Sequence, residues 1–132
     1  MAIDFGLKRV GIAVTDPLNI LASPLTTVDL SNAIEFVREY CEKENVETIV
    51  IGMPLRLNGE ETHSTRPALE FGDKLKKKVQ GVKIDWQDEQ FTSKKAVEAM
   101  VVGGMKKKDR RKKENIDKIS AAIILQSYLE EA

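Results

Sequence analysis

Cysteine and histidine are nearly missing from this sequence: Cys41 and His63 are single occurrences in 132 residues. One cysteine closes no internal disulfide, and one of each cannot assemble the sulfur and imidazole ligands of a zinc centre. Aromatic residues make up only 5% of the chain, which disfavours recognition of single-stranded bases by serial stacking. No run of about 18 apolar residues occurs, and the opening MAIDFG lacks the charged start and long apolar stretch of a secretory signal. The expectation is therefore a soluble, cytoplasmic protein without a membrane partner. Net charge is also missing. Lys plus Arg and Asp plus Glu number 21 each, so whole-molecule charge favours no class of partner.

The 42% of apolar residues can build a core without a metal staple, and 132 residues is the length of one compact domain, here expected over 1–132. Ile3 and Phe5 alternate with Asp4 and Gly6, and Val10, Ile12 and Val14 recur at spacing two, so two short strands meet at a turn over Gly6 to Arg9. Asp16-Pro17 is a turn, with Asp16 structural, and a third strand follows over about Ile20 to Thr27. Ser31 is a suitable N-cap for a helix running to about Glu44, in which Ile34, Val37 and Cys41 form one stripe. VETIVIGMPL, residues 46–55, reads as a buried strand ending in a loop through Asn58-Gly59. A helix over about Ser64 to Val79, with Leu69 and Leu75 on its apolar side, leads to the strand VKIDWQ, in which Val82, Ile84 and Trp86 share a core-facing side. Residues 94–102 are expected helical after Thr92-Ser93. The last helix, DKISAAIILQSYLEEA, is apolar nearly all round and so packs into the body of the domain. The order is βββαβαβαα, an α/β chain whose first three strands make an antiparallel meander.

Charge is concentrated rather than absent. Residues 106–113, KKKDRRKK, carry seven basic residues (Lys106, Lys107, Lys108, Arg110, Arg111, Lys112 and Lys113) against Asp109, leaving 14 basic and 20 acidic residues elsewhere. Such a run attracts a polyanion while the remaining surface repels it, although a solvated charged loop has the same composition. Three acidic positions are out of place. Asp4 interrupts an apolar strand, where a carboxylate is costly unless paired, hydrogen-bonded or on a metal. Asp88-Glu89 closes the fifth strand. Asp117 begins the last helix, in register with Ala121, Ile124 and Tyr128 on an inward face. Each has an ordinary explanation: a bond to the Gly6 turn, a strand-end turn, a helix cap. If they converge, their chemistry sharpens. Two divalent ions about 4 Å apart, held by carboxylates, activate a water and stabilise the leaving oxygen of a phosphodiester displacement. Oxygen ligands suit Mg²⁺ or Mn²⁺, and the basic run would hold the phosphate backbone beside Asp117. His63, in GEETHST, reads as a surface residue, and Arg66 could face a phosphate.

AIDFGLKRVGIAVTDPL, VIGMPLRLNG, DEQFTS and DKISAAIILQSYLE, in that order and spacing, resemble the YqgF/RuvX family, described as Holliday junction resolvases and as pre-16S ribosomal RNA nucleases. The likeness spans essentially the whole chain. It implies a ribonuclease H-like fold: a mixed five-stranded sheet, antiparallel through three strands and flanked by helices. It also implies metal ligation by Asp4, Glu89 and Asp117, with Asp88 assisting, and turns shaped by Gly6, Gly11, Gly52, Pro54 and Gly59. Two departures stand out. Gln90 occupies a position where the family usually has Arg, removing a positive charge near the acidic pair, and only Met1, Ala2 and Ile3 precede Asp4.

The resulting expectation is a metal-dependent nuclease on structured nucleic acid, with pre-16S ribosomal RNA preferred to branched DNA. Cutting a four-way junction calls for two symmetric sites, and no apolar surface helix is set aside for a dimer, so a monomer or weak dimer is expected. A non-catalytic nucleic-acid-binding protein is the competing class; it needs only the basic run. The Asp4 to Gly11 hairpin also resembles the phosphate turn of actin-like kinases, but those require two such domains.

Overall fold

The structure, a computed structural model, describes residues 1–16, 21–54, 61–89, 104, 106, 108 and 112–131; for Asp88 and Glu89 it describes the backbone alone. The described elements are β1 (Ala2–Asp4), β2 (Arg9–Thr15), β3 (Ala22–Asp29), α1 (Leu30–Lys43), β4 (Thr48–Pro54), α2 (Thr65–Lys78), β5 (Lys83–Glu89) and α3 (Lys113–Glu131). One five-stranded sheet has the order β3-β2-β1-β4-β5. β1 and β2 pair antiparallel, as do β2 and β3, whereas β1 with β4 and β4 with β5 are parallel. This is the mixed five-stranded sheet that the family resemblance implies, with the antiparallel meander expected for the first three strands. The expected helix over 94–102 and the Asn58-Gly59 turn lie outside the described residues.

Strand alternation sorts the core into two layers. Ile3, Val10, Ile12, Ile49 and Ile51 point to one side, where Ala33 and Val37 of α1 and Ala68, Phe71 and Leu75 of α2 cover them. Burying each of these large aliphatic side chains is worth about 1.5–3 kcal/mol. Val82, Ile84 and Trp86 pack against this layer as expected, and Trp86 is core rather than a stacking platform. On the other side Ala2, Ala13 and Val50 meet Ala121, Ile124 and Leu125 of α3. Two of those three strand residues are alanine, so α3 can come close to the sheet. Gly81, at φ 79°, turns the chain from α2 into β5, a conformation glycine adopts without steric cost.

Several boundaries differ from the sequence reading. β3 runs on to Asp29, and α1 follows with Asp29 at its N-cap, so Ser31 is not the cap; no side-chain capping bond forms. Instead the Leu30 N–H donates to the Lys8 carbonyl (2.9 Å), satisfying an orphan helix donor from the β1–β2 turn. Leu69 is exposed, and Thr65, Ala68, Phe71, Gly72 and Leu75 form the buried stripe of α2. α3 begins at Lys113, a turn before Asp117, which therefore stands in the second turn rather than at the cap. Asp16 does close its turn: its N–H donates to the Leu21 carbonyl, and its Oδ1 accepts the Leu21 N–H. Among the described residues no helix is long and apolar enough to cross a membrane.

Candidate active site

The carboxyl ends of the three parallel strands lie at one end of the sheet, where β1 finishes at Asp4, β4 at Pro54 and β5 at Glu89. Such an end is where open α/β sheets place their ligands. Asp4 pairs with Gly11 of β2, and Gly11 pairs with Thr27 of β3, forming one row across three strands. Because Ala2 faces α3 and Ile3 faces away, alternation puts Asp4 on the α3 side.

Gly11 brings α3 to that row. A Cβ on Gly11 would sit 2.1 Å from the Asp117 carbonyl oxygen and 2.9 Å from the Lys118 nitrogen, so the backbone of the helix occupies the space a side chain would need. Asp4 and Gly11 are direct cross-strand partners, about 4.5–5.5 Å apart at Cα. The missing side chain at Gly11 thus lets the turn of α3 that carries Asp117 lie directly over the register partner of Asp4. Thr27, at the end of the row, donates its hydroxyl to the Glu114 carbonyl (2.7 Å) and pins the first turn of α3.

Arg9 completes the described part of the site. It lies two residues before Gly11 on the α3 side of β2, and its Nε donates to Asp117 Oδ2 at 3.2 Å. Both side chains are about three-quarters buried, with 28% and 24% of their surface exposed. An ion pair alone would hold the carboxyl low. Burial nevertheless pushes Asp117 above its ordinary value, with Glu114 adding to the rise and Arg9 and Lys113 opposing it. Removal from water outweighs the guanidinium.

The other end of α3 is tied down separately. Tyr128 donates its hydroxyl to Asp85 Oδ2 (2.8 Å), a bond that, with the Trp86 N–H, holds the Asp85 carboxyl low. Gln87 donates to both oxygens of Glu131 at 3.2 Å, and the Ala22 N–H donates to Gln126 (3.2 Å). Asp85 and Gln87 therefore face α3, and Glu89 shares their strand parity whereas Asp88 does not. Register extends Asp4 level with Gly52, so no β4 side chain stands between Asp4 and β5.

Asp4 and Asp117 supply oxygen donors in a half-buried setting, which fits a hard divalent cation better than a soft one. No group of three His, Cys, Asp or Glu that could hold a metal occurs among the described residues, and the side chains of Asp88 and Glu89 are not among them. Of the basic run, Lys106, Lys108, Lys112 and Lys113 are exposed, while Lys107, Arg110 and Arg111 lie outside the described residues. His63 is exposed, as expected, and so is Arg66, in the first turn of α2. Thr65 at that turn donates its hydroxyl to the Pro54 carbonyl, tying α2 to the end of β4 that borders the site. Sequence reasoning misses Arg9 and Thr27. For Arg9 a signal exists: a charge at i−2 from Gly11 in an otherwise apolar strand is as out of place as Asp4.

Comparison with known proteins agrees with this architecture. The model of the family RuvX, described as Holliday junction resolvase, matches residues 1–131. A protein of Amoebophilus asiaticus named "Putative pre-16S rRNA nuclease" is 50% identical over 129 residues, covering 98% of this chain and 92% of its own. One of Phocaeicola vulgatus with the same name is 48% identical over 130 residues, covering 98% and 94%. Among solved structures, T. thermophilus RuvC in complex with Holliday junction substrate aligns with a TM-score of 0.57 at 16% identity, over 98% of this chain and 91% of that one. The Fowlpox virus resolvase, solved with Holliday junction DNA, aligns at 0.53 and 11% over the whole of both. At those identities the two structures speak for the fold alone. The family match and the close relatives place the chain: it belongs to the RuvX family.

Proposed function

We propose that this RuvX-family chain is a divalent-metal-dependent nuclease that hydrolyses phosphodiester bonds in structured nucleic acid, and that its substrate is the 5′ end of pre-16S ribosomal RNA. The observation that carries the reading is the seating of Asp117 on Gly11 beside Asp4. The approach sets the helix turn that carries Asp117 over the strand row that contains Asp4, as two carboxylates sharing one site need. The names of the close relatives support the RNA substrate.

Asp4 and Asp117 would hold Mg²⁺ or Mn²⁺ together with Glu89, which strand parity favours over Asp88 as a ligand; Asp88 would assist from the same strand end. Bound there, divalent ions supply Lewis acidity for the attacking water and the leaving oxygen. The chain itself contributes position and charge. β1 and α3 orient the two carboxylates, and partial burial limits the water at Asp117. Lys112 and Lys113 stand at the start of α3, where the helix dipole disfavours cations. Helix stability therefore does not explain them, and contact with a phosphate backbone by the run from Lys106 to Lys113 does.

The test is cleavage of two labelled substrates, a pre-16S ribosomal RNA 5′ precursor and a four-way DNA junction, with Mg²⁺, Mn²⁺ or EDTA. Cutting of the RNA with either metal, stopped by EDTA, is expected. Cutting of the junction alone would move the function to DNA resolution, and salt-sensitive binding without cutting under any condition would leave a non-catalytic nucleic-acid-binding protein.

A further inference from the structure

Arg9 and Asp117 pose a problem of occupancy. Asp117 is the helix carboxylate of the proposed site, yet one of its oxygens already carries a cation, the guanidinium of Arg9. The question, which rests on the metal-site reading above, is what becomes of Arg9 when a divalent ion arrives.

The contact is the kind that exchanges. It runs through Nε alone at 3.2 Å, not through the two-pronged face that makes arginine–carboxylate pairs strong and oriented. Both partners retain about a quarter of their exposure, so the guanidinium has a route to solvent without unfolding β2. A divalent cation on Asp117 would be a like charge next to Arg9 in a partly desolvated place, where repulsion is poorly screened. Arg9 also sits at the start of β2, behind the Gly6 to Arg9 turn that follows Asp4, on the α3 side of the sheet. A guanidinium leaving Asp117 there stays on the same face of the sheet as Asp4. At that place the anionic group that arrives with the ion is a phosphate, for which a planar guanidinium is well suited.

We propose that Arg9 is a displaceable counter-ion: its guanidinium, paired with Asp117 in this structure, yields that carboxylate to a divalent cation and turns to the substrate phosphate. Metal loading and substrate binding are thereby linked through one side chain.

Displacement predicts effects of opposite sign, which a merely structural ion pair does not. Mn²⁺ binding to the substrate-free protein is measured by electron paramagnetic resonance for wild type, Arg9→Gln, Arg9→Lys and Arg9→Gln/Asp117→Asn, with thermal melts confirming folding. Arg9→Gln is expected to bind Mn²⁺ about three- to tenfold tighter, the scale of removing one partly buried competing ion pair. Arg9→Lys, which keeps a competing charge, is expected near wild type, and Asp117→Asn is expected to erase the gain. In cleavage assays at saturating Mn²⁺, Arg9→Gln is expected to raise KM for the nucleic acid. Equal or weaker Mn²⁺ binding by Arg9→Gln overturns the proposal and makes Arg9 a positioning residue for Asp117. If wild type binds Mn²⁺ but cuts nothing, the binding comparison still decides the role of Arg9 while the nuclease reading fails separately. Absence of Mn²⁺ binding in wild type and Arg9→Gln alike overturns both.

Discussion

Asp117 carries a charge its surroundings only partly accommodate, and that has a consequence for stability. Its carboxyl is raised in the folded chain, chiefly by burial. The folded state therefore holds this proton to higher pH than the unfolded chain. The associated stability is full below the ordinary value of 3.8 and is lost as pH rises through the raised folded value. At pH 7 the ionised form is a net burden. Asp117→Asn is thus expected to melt at or above the wild-type temperature at neutral pH, to lose that advantage in acid, and to cut at least about a hundredfold more slowly. Paired melting curves at about pH 7 and about pH 3.5, on either side of the shift, check the sign. Gly11 is the complementary residue. Gly11→Ala adds a methyl 2.1 Å from the Asp117 carbonyl oxygen and must push α3 off the sheet. A loss of about 1–3 kcal/mol in denaturant unfolding is expected, together with reduced cleavage. At this scale the sequence shows Asp4 and Asp117 because a charge in apolar surroundings has few explanations. It does not show Arg9 as the partner of Asp117, since a pairing across 108 residues is a property of the sheet and helix together.

Among the elements, α3 carries Asp117 to the proposed site. It is held at its start by Thr27 and Gly11, along its length by Ala121, Ile124 and Leu125, and near its end by Tyr128 and Glu131. Because Asp117 rides on this helix, loosening its apolar middle reaches the site without touching it. Ile124→Ala, which empties a side chain that is 3% exposed, is expected to cost about 2–5 kcal/mol in chemical unfolding and to weaken metal binding at Asp117. Wild-type metal affinity in a folded Ile124→Ala would separate the helix packing from the site. The inward face of α3 is legible because Asp117, Ala121, Ile124 and Tyr128 recur at helical spacing. Its true start at Lys113 is not, for Lys, Glu and Asn carry no apolar period to mark a first turn. The displaced start of α1 has a similar cause. Ser31 is a good cap by residue type, but the Lys8 carbonyl, supplied from a distant turn, already meets the Leu30 N–H.

For the whole molecule, zero net charge conceals a division of labour. Seven basic residues within 106–113 face a remainder with 14 basic and 20 acidic residues, so on the proposed reading this run is where a nucleic acid is attracted most strongly. Replacing the exposed Lys106, Lys108, Lys112 and Lys113 by Gln is expected to weaken binding across sequences and to flatten its salt dependence, by up to about one unit of logarithmic slope for each phosphate no longer engaged. The turnover of saturated enzyme should change little. An unchanged salt slope, measured by filter binding, would remove the run from the interface. Topology is legible at this scale because three short alternating strands, a helix and two β-branched strands leave few un-knotted arrangements. The five-stranded order places Asp4 in the central strand, and what the pattern alone could not supply is the close approach of α3 at Gly11.

The most direct measurement is single-turnover cleavage of the pre-16S ribosomal RNA 5′ precursor across a Mn²⁺ titration, comparing wild type with Asp4→Asn and Asp117→Asn while RNA binding is followed in the same samples. Wild type is expected to cut with a metal-dependent rate, and both variants to bind the RNA with near wild-type affinity but cut at background at low Mn²⁺. Equal cutting by wild type and the two variants would contradict a catalytic site built from Asp4 and Asp117.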